Sequence, residues 1–216
     1  MDRVEALYRK IKQAVIEAGY QHEIQWQGGV RFDELTEDVF LAEAGWVILN
    51  SGFRASVARK LWDGDHGLYR AFYEFRNAQI VVEKKDGILV HAMSIFRGRK
   101  KLEAMIEVCR IVLERGWKNV RDDLDINGVL ALERFPFIGG PVLRYHLGKN
   151  IGLDCVKPDR HLMRMAKAAG ASSPLDLCKG IHIATGDPLP VVDMVLWRYA
   201  TLDPEYEAKF REVNNG

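Results

Sequence analysis

Hydrophobic residues recur along most of this chain at the three- and four-residue spacing of amphipathic helices. The first stripe predicts a helix over residues 2–18, and a longer stripe that starts at Leu102 predicts a helix ending at Gly116. The same spacing predicts further helices, at residues 36–51, 54–63, 67–75, 77–83, 87–95, 127–134, 140–150, 159–169, 174–185 and 189–200. Because the only β-branched run, Gln79–Val82, lies inside one of these helices, we predict an all-α fold of about ten short helices.

Two segments lack this periodicity. Residues 20–31 are rich in Gly and Gln and are predicted to form a connection, and the polar residues 202–216 are predicted to fray. No linker is long enough to separate independent domains, and 216 residues suit one good core or two small lobes. We therefore predict a single unit over residues 1–216 whose two packed lobes cover about 36–125 and 126–200, plus the N-terminal helix.

The composition fits an ordinary soluble globular protein, with a net charge of only +1. Three widely spaced cysteines argue against a disulfide framework, and they offer neither a zinc-binding pair nor the four thiolates of an iron–sulfur cluster. No apolar run has the length of a membrane span, and the charged start is unlike a secretory signal. We expect a monomer in the cytoplasm, associated with the nucleoid and not with a membrane.

Charge is concentrated in one segment, residues 134–168, which contains seven Lys or Arg against two acids and so carries a net charge of +5. Its basic residues are Arg134, Arg144, Lys149, Lys157, Arg160, Arg164 and Lys167. The segment begins with a glycine-containing turn, Phe135–Gly140, directly before a predicted helix. Backbone N–H groups at such a turn, together with the helix dipole, can hold a phosphate without any side chain. The pattern therefore predicts a grip on a nucleic-acid backbone.

Two motifs in this segment resemble a known family. The sequence FPFIG at Phe135–Gly139 resembles the L-P-G-V/I-G hairpin of the helix-hairpin-helix DNA glycosylases, and VKPDRHL at Val156–Leu162 resembles the segment that carries their catalytic aspartate. Less specific similarities, to a segment before the hairpin, an early helix end and a late helix, occur at Phe96–Lys101, Trp46–Ser51 and Val192–Trp197. The similarity spans roughly residues 36–200, and only the hairpin-to-aspartate part is specific.

The chain departs from this family pattern at two positions of the hairpin. Phe137 replaces the central glycine, so the backbone there cannot rely on the freedom of glycine at positive φ. Pro141 stands where the bifunctional members carry a Schiff-base lysine, and proline has neither an amine nor an N–H. The resemblance therefore implies a monofunctional glycosylase, without lyase activity and without an iron–sulfur cluster, that has two lobes, a helix-hairpin-helix motif and a DNA-binding cleft between the lobes.

The resemblance assigns the catalytic role to Asp159. Breaking an N-glycosidic bond builds positive charge on the sugar, which an ionised carboxylate stabilises while it orients the attacking water. Neighbouring N–H groups, with Lys157 and Arg160, are expected to favour the ionised form. Asp159 is equally suited to cap the helix that follows it, and both roles can coexist.

The remaining candidate residues fall into three groups. We expect DNA contacts from Phe137, Gly139, Gly140, Arg144, Lys149 and Arg160. A monovalent cation, Na⁺ or K⁺, is implied by the resemblance at the backbone carbonyls of Glu133, Phe135 and Ile138. A base pocket would use aromatic faces, for which the candidates are Trp26, Trp46, Phe53, Trp62 and Tyr69, with Glu43 as a second acid.

These residues lead to a functional hypothesis and its alternatives. The hypothesis is a hydrolase of base excision repair that removes a damaged or modified base, preferably an alkylated purine, from double-stranded DNA with the nucleotide flipped out. Alkylated purines are favoured because their cationic bases leave easily. The alternatives are a helix-hairpin-helix protein that binds DNA without catalysis, a uracil- or thymine-specific enzyme, and a relative that modifies the flipped base.

Overall fold

A computed structural model describes residues 2–74 and 76–215, and every regular element in this part of the chain is helical. The all-α prediction is confirmed for these residues. The helices in chain order are α1 (Asp2–Val15), α2 (Gln21–Gly29), α3 (Glu37–Asn50), α4 (Ala55–Trp62), α5 (Leu68–Phe72), α6 (Ala78–Glu83), α7 (Lys85–Ile95), α8 (Arg99–Arg115), α9 (Trp117–Asn127), α10 (Leu143–Asn150), α11 (Arg160–Ala168), α12 (Pro174–Thr185), α13 (Leu189–Leu202) and α14 (Tyr206–Asn215). A π-helical turn, Ile16–Tyr20, joins α1 to α2, and a 3₁₀ helix, Gly128–Arg134, follows α9.

The chain divides into two compact units. The central unit is Phe32–Ile151, and the terminal unit combines Met1–Arg31 with Gly152–Gly216. The division thus falls at residue 151 and not near residue 125, where the sequence placed the boundary between lobes. The reason is local packing, because the 3₁₀ helix contacts α9 and α10 contacts α3, which keeps residues 126–151 with the helices before them.

The core of the central unit forms around α3, which contacts α8 and α10. Phe40 on α3 is fully buried, and its ring lies 5.5 Å from the ring of Trp117 and 5.5 Å from that of Phe135. Burying an aromatic side chain of this size stabilises a fold by roughly 2–3 kcal/mol. Since Phe135 opens the turn before α10, this contact fixes the turn to the core.

The terminal unit is built on α13, an almost wholly apolar helix that contacts α1, α2, α11 and α12. Val192 and Leu196 of α13 are fully buried in its core, together with Tyr8 of α1. The hydroxyl of Tyr8 donates to Asp187 at 2.7 Å, and the ammonium group of Lys12 donates to the same carboxylate. The loop before α13 is therefore tied to the first helix of the chain.

Three helices lie where the sequence pattern predicted none. Residues 20–31 were predicted to be a connection but contain α2, which packs on α13 and is tied to it by an ion pair between Glu23 and Arg198 at 2.5 Å. Residues 202–216 were predicted to fray but contain α14, because Phe210 is buried. The third is α9, which no prediction covered and which buries Val120 and Leu124. Tertiary packing thus selects helices whose own periodicity is weak.

The other predicted helices are present, with ends that differ by a few residues. Two differences bear on the site: the helix predicted from residue 140 begins at Leu143, and the one predicted from residue 159 begins at Arg160. None of the described helices combines the length and the apolar character that crossing a membrane requires.

Candidate functional site

The turn Phe135–Gly140 is held by the core beneath it and by its own backbone. Phe135 and Ile138 are buried, with exposed fractions of 2% and 0%. The N–H of Ile138 donates to the carbonyl of Pro136 at 2.7 Å, and the N–H of Gly139 donates to the carbonyl of Phe135 at 3.0 Å. A turn fixed at Phe135 and Ile138 presents its remaining backbone groups in one arrangement.

Gly139 occupies a position that no other residue fits. A Cβ atom added there would lie 2.3 Å from the carbonyl oxygen of Glu133, far inside van der Waals contact. The 3₁₀ helix and the turn therefore approach each other through the glycine. Gly140 is under no such constraint, since the nearest atom to an added Cβ is the carbonyl oxygen of Phe137 at 3.9 Å.

Phe137 adopts the left-handed backbone conformation that glycine takes most readily. Its φ is 63°, and no other non-glycine residue in the described chain has a positive φ. The strained conformation costs on the order of 1 kcal/mol. The side chain is 43% exposed, so little burial offsets this cost.

Backbone donors lie between the turn and the start of α10. Within the described residues, the N–H groups of Gly140, Val142 and Leu143 donate to no acceptor, and Pro141 carries no N–H. The first helical hydrogen bond of this region runs from the N–H of Arg144 to the carbonyl of Gly140 at 3.2 Å. Unpaired donors at the start of a helix form a site that suits an anion.

The three basic side chains predicted to contact DNA have different surroundings. Arg144 forms an ion pair with Glu133, which neutralises part of its charge, and its guanidinium lies 5.5 Å from the ring of Tyr145. Lys149, which was predicted to contact DNA, is only 6% exposed. The side chain of Lys149 lies on the inner side of α10, and the charge pattern of the sequence could not show this. Arg160 is exposed at the start of α11.

Two of the carbonyls predicted to bind a monovalent cation, those of Phe135 and Glu133, already have neighbours in the turn. That of Phe135 accepts the N–H of Gly139, which leaves one lone pair, and that of Glu133 lies against Gly139. Carbonyl oxygens suit a hard cation, so the donor chemistry fits Na⁺ or K⁺. Among the described side chains, no group of three or more His, Cys, Asp or Glu could hold a metal ion.

Asp159 is the N-cap of α11. Its Oδ1 accepts hydrogen bonds from the N–H of His161 at 2.9 Å and of Leu162 at 3.1 Å, and its Oδ2 lies 3.6 Å from Nζ of Lys157. The side chain is 11% exposed. One oxygen thus fixes the orientation of the carboxylate, and the other faces a positive charge.

The segment before Asp159 is held by a buried acid on α13. The N–H of Lys157 donates to Oδ2 of Asp193 at 2.6 Å, and Asp193 is 1% exposed. The N–H of Asp159 in turn donates to the carbonyl of Lys157 at 2.8 Å. Asp193 therefore anchors the backbone two residues ahead of the candidate catalytic acid. Its only signal in the sequence is that it is a lone acid in an apolar helix.

His161 and Tyr206 lie beside this cap. The hydroxyl of Tyr206 is 3.2 Å from Nδ1 of His161, and the two rings meet edge to face. Burial lowers the pKa of His161, and the negative charge of Asp159 acts in the opposite direction. Tyr206 opens α14, in the segment predicted to fray, so the sequence could not indicate its place beside the acid.

Three of the five aromatic candidates meet in the central unit. The ring of Trp62 lies 5.9 Å from that of Trp46 and 6.0 Å from that of Tyr69. Trp62 is largely buried, whereas Tyr69 is 43% exposed. We call these three residues the aromatic cluster. Phe53 is paired with another ring, that of Phe96, and Trp26 belongs to the terminal unit.

Glu43 links α3 to the end of α10. Its Oε2 accepts a hydrogen bond from Nδ2 of Asn150 at 2.9 Å. Burial raises the pKa of Glu43 to about 7, and the hydrogen bond from Asn150 opposes this shift. A carboxyl that changes charge near neutral pH is more common at functional sites than elsewhere.

The candidate chemistry is thus divided between the two units. The central unit contains the turn, the aromatic cluster and Glu43, and the terminal unit contains Asp159 with its cap and Asp193. Comparison with known protein families, with curated proteins and with solved structures found no match to this chain.

Proposed function

We propose that this protein is a monofunctional DNA glycosylase that removes a damaged base from DNA, and that Asp159 is its catalytic carboxylate. The observation that carries the proposal is the arrangement of this side chain. Oδ1 is held by two backbone N–H groups while Oδ2 takes no part in the cap, and the carboxylate remains partly exposed. A fixed carboxylate with one oxygen left for a substrate is what stabilisation of a sugar cation requires.

The turn supports the DNA-binding half of this proposal. We propose that Phe135–Gly140 and the helices on either side form a helix-hairpin-helix motif that grips one phosphate. The unpaired N–H groups of Gly140, Val142 and Leu143 are donors for its oxygens. A cation at the carbonyl of Phe135 would supply a further positive charge next to the phosphate.

The reaction follows from these parts. The turn holds the backbone of the strand from which the damaged nucleotide is extruded, since a stacked base is out of reach. As the bond between C1′ and the base nitrogen breaks, its electron pair leaves with the base and the carboxylate of Asp159 stabilises the positive sugar. Water then forms the new C1′–O bond and transfers a proton to Asp159.

The same chemistry accounts for the absence of a lysine. With Pro141 in the lysine position of the bifunctional enzymes, no amine can form a Schiff base there, so the product is an intact strand with an abasic site. An alkylated purine carries positive charge and leaves as a neutral base, which suits a site that uses water as the nucleophile. The aromatic cluster offers the exposed ring of Tyr69 for such a cationic base.

A second function, DNA binding without catalysis, is favoured by one observation. Capping α11 is sufficient to explain an aspartate at position 159, because Oδ1 satisfies two N–H groups that would otherwise lack acceptors. In this case the turn would grip DNA and no bond would break.

Base release separates the two functions. Purified protein is incubated with duplex DNA that has been treated with a methylating agent, and free bases are measured by mass spectrometry. A monofunctional glycosylase releases alkylated purines and leaves abasic sites that break only after alkali. Salt-sensitive binding to the same DNA without any released base would contradict the proposal and favour the binding protein.

A further inference from the structure

Phe137 combines backbone strain with exposure of an aromatic ring. Its φ of 63° places it in the left-handed region, and 43% of its surface is exposed. On either side of it the turn is well anchored, since Phe135 and Ile138 are buried. The ring is therefore held outside the core by a backbone that cannot relax.

The stability of the fold does not account for phenylalanine at this position. Glycine takes a positive φ without strain, and it would leave both anchoring residues in place. In the described chain the ring of Phe137 makes no stacked or edge contact with another aromatic ring, unlike Phe135, which packs on Phe40. Strain of this kind persists where the strained residue has a function.

We propose that Phe137 is an apolar wedge that enters duplex DNA beside the gripped phosphate. This inference rests on the proposed function, because it takes the turn to be the DNA grip. The N–H donors of Gly140, Val142 and Leu143 follow within six residues of Phe137, so a strand held there lies within reach of an exposed ring. Proteins that bend DNA insert apolar side chains between base steps in this manner, and unstacking the step lowers the barrier to extruding a nucleotide.

The proposed wedge predicts a change in fluorescence that can be measured without any cleavage of a glycosidic bond. The probe is a duplex with a tetrahydrofuran abasic-site analogue and 2-aminopurine as its neighbour, whose fluorescence rises when the base unstacks. The full chain should raise this fluorescence. Phe137→Ala and Phe137→Gly should lose most of the rise and bind the duplex at least about fivefold more weakly, because a base–aromatic contact is lost. Phe137→Tyr should retain both signals.

Two comparisons separate a wedge from a structural role. Phe137→Gly should unfold at a higher temperature than Phe137→Ala, since only glycine avoids the strain, and yet both should have lost the unstacking signal. Val90→Ala removes a more exposed apolar side chain, 75% exposed on α7, and should leave fluorescence and affinity unchanged.

The inference is overturned if Phe137→Gly binds and unstacks the duplex as the natural chain does. It is also overturned, together with the proposed function, if the natural chain does not bind the duplex at all. Binding and unstacking without base release from methylated DNA would contradict the glycosylase alone, because the wedge is measured on DNA that carries no damaged base to release.

Discussion

Asp159 divides its two carboxylate oxygens between different partners. Oδ1 accepts from the backbone at the start of α11, and Oδ2 lies near the ammonium group of Lys157. Asparagine at this position keeps an amide oxygen for the cap but loses the negative charge, whereas alanine loses both. The capping role and the proposed chemical role can therefore be separated by the choice of substitution.

Glu43 gives a prediction for the pH dependence of stability. The pKa of its carboxyl is about 7 in the folded protein, against an ordinary value of 4.5. Between these two values the unfolded chain loses the proton that the folded protein keeps, so the free energy of unfolding falls as the pH rises, and the loss is complete above pH 7. Glu43→Gln should abolish this part of the pH dependence while keeping an acceptor for Asn150.

The measurement is urea unfolding of both proteins at pH 5 and pH 8. Relative to the natural chain, Glu43→Gln should gain roughly 2–3 kcal/mol of stability between the two pH values, because one pKa unit corresponds to about 1.4 kcal/mol. An equal difference between the two proteins at both pH values would contradict the raised pKa.

At the scale of elements, α13 controls the segment that carries Asp159. Asp193→Ala removes an oxygen that accepts a hydrogen bond from the N–H of Lys157 in a partly buried position. This change should lower the free energy of unfolding by about 1–3 kcal/mol. Asp193→Asn retains an oxygen acceptor and should be less destabilising.

Urea unfolding and base release, measured on the same preparations, test this prediction. Where Asp193→Ala is still folded, its release of alkylated purines should be slower than that of Asp193→Asn, because Asp159 is no longer held in place. If Asp193→Ala unfolds at the same urea concentration as the natural chain, the hydrogen bond to Lys157 contributes nothing to the terminal unit.

Helices with a clear apolar stripe could be predicted from the sequence, and those that depend on neighbours could not. The stripe of α1 and that of α8 are visible because one face of each helix is buried. In contrast, α2 buries little and is held by the ion pair between Glu23 and Arg198. That pair joins residues 175 positions apart, so no local pattern contains it.

The candidate site likewise has parts that could be predicted from the sequence and parts that depend on residues far apart in the chain. The turn at Phe135–Gly140 and the capping role of Asp159 could be predicted because a glycine-containing turn and a helix cap are local in sequence. Asp193 and Tyr206 could not, since each reaches the cap from a different helix. The burial of Lys149 depends on the packing of α10, and the number of charged residues in a segment does not indicate which of them are buried.

At the scale of the whole molecule, the two ends of the chain form one unit and its middle forms the other. In the terminal unit α1 packs on α13, so this core joins residues far apart in sequence. Such contacts close long loops and slow folding. The prediction of two successive lobes did not include this arrangement, because periodicity does not indicate which helices become neighbours.

The proposed function assigns the hold on a DNA phosphate to the turn and the stabilisation of the sugar to Asp159. The net charge of the chain is only +1, so binding would depend on the turn and its surroundings and not on a field around the whole protein. Loss of the Asp159 charge should therefore affect the reaction and leave DNA binding intact.

The most direct test of this account is the single-turnover rate of base release from methylated duplex DNA by Asp159→Asn. The account predicts a rate at least about 10²-fold below that of the natural chain, with unchanged DNA affinity and thermal unfolding. Asp154→Asn, which neutralises an exposed carboxylate five residues earlier, should release base at the natural rate. A rate for Asp159→Asn close to that of the natural chain would contradict the central role of this carboxylate.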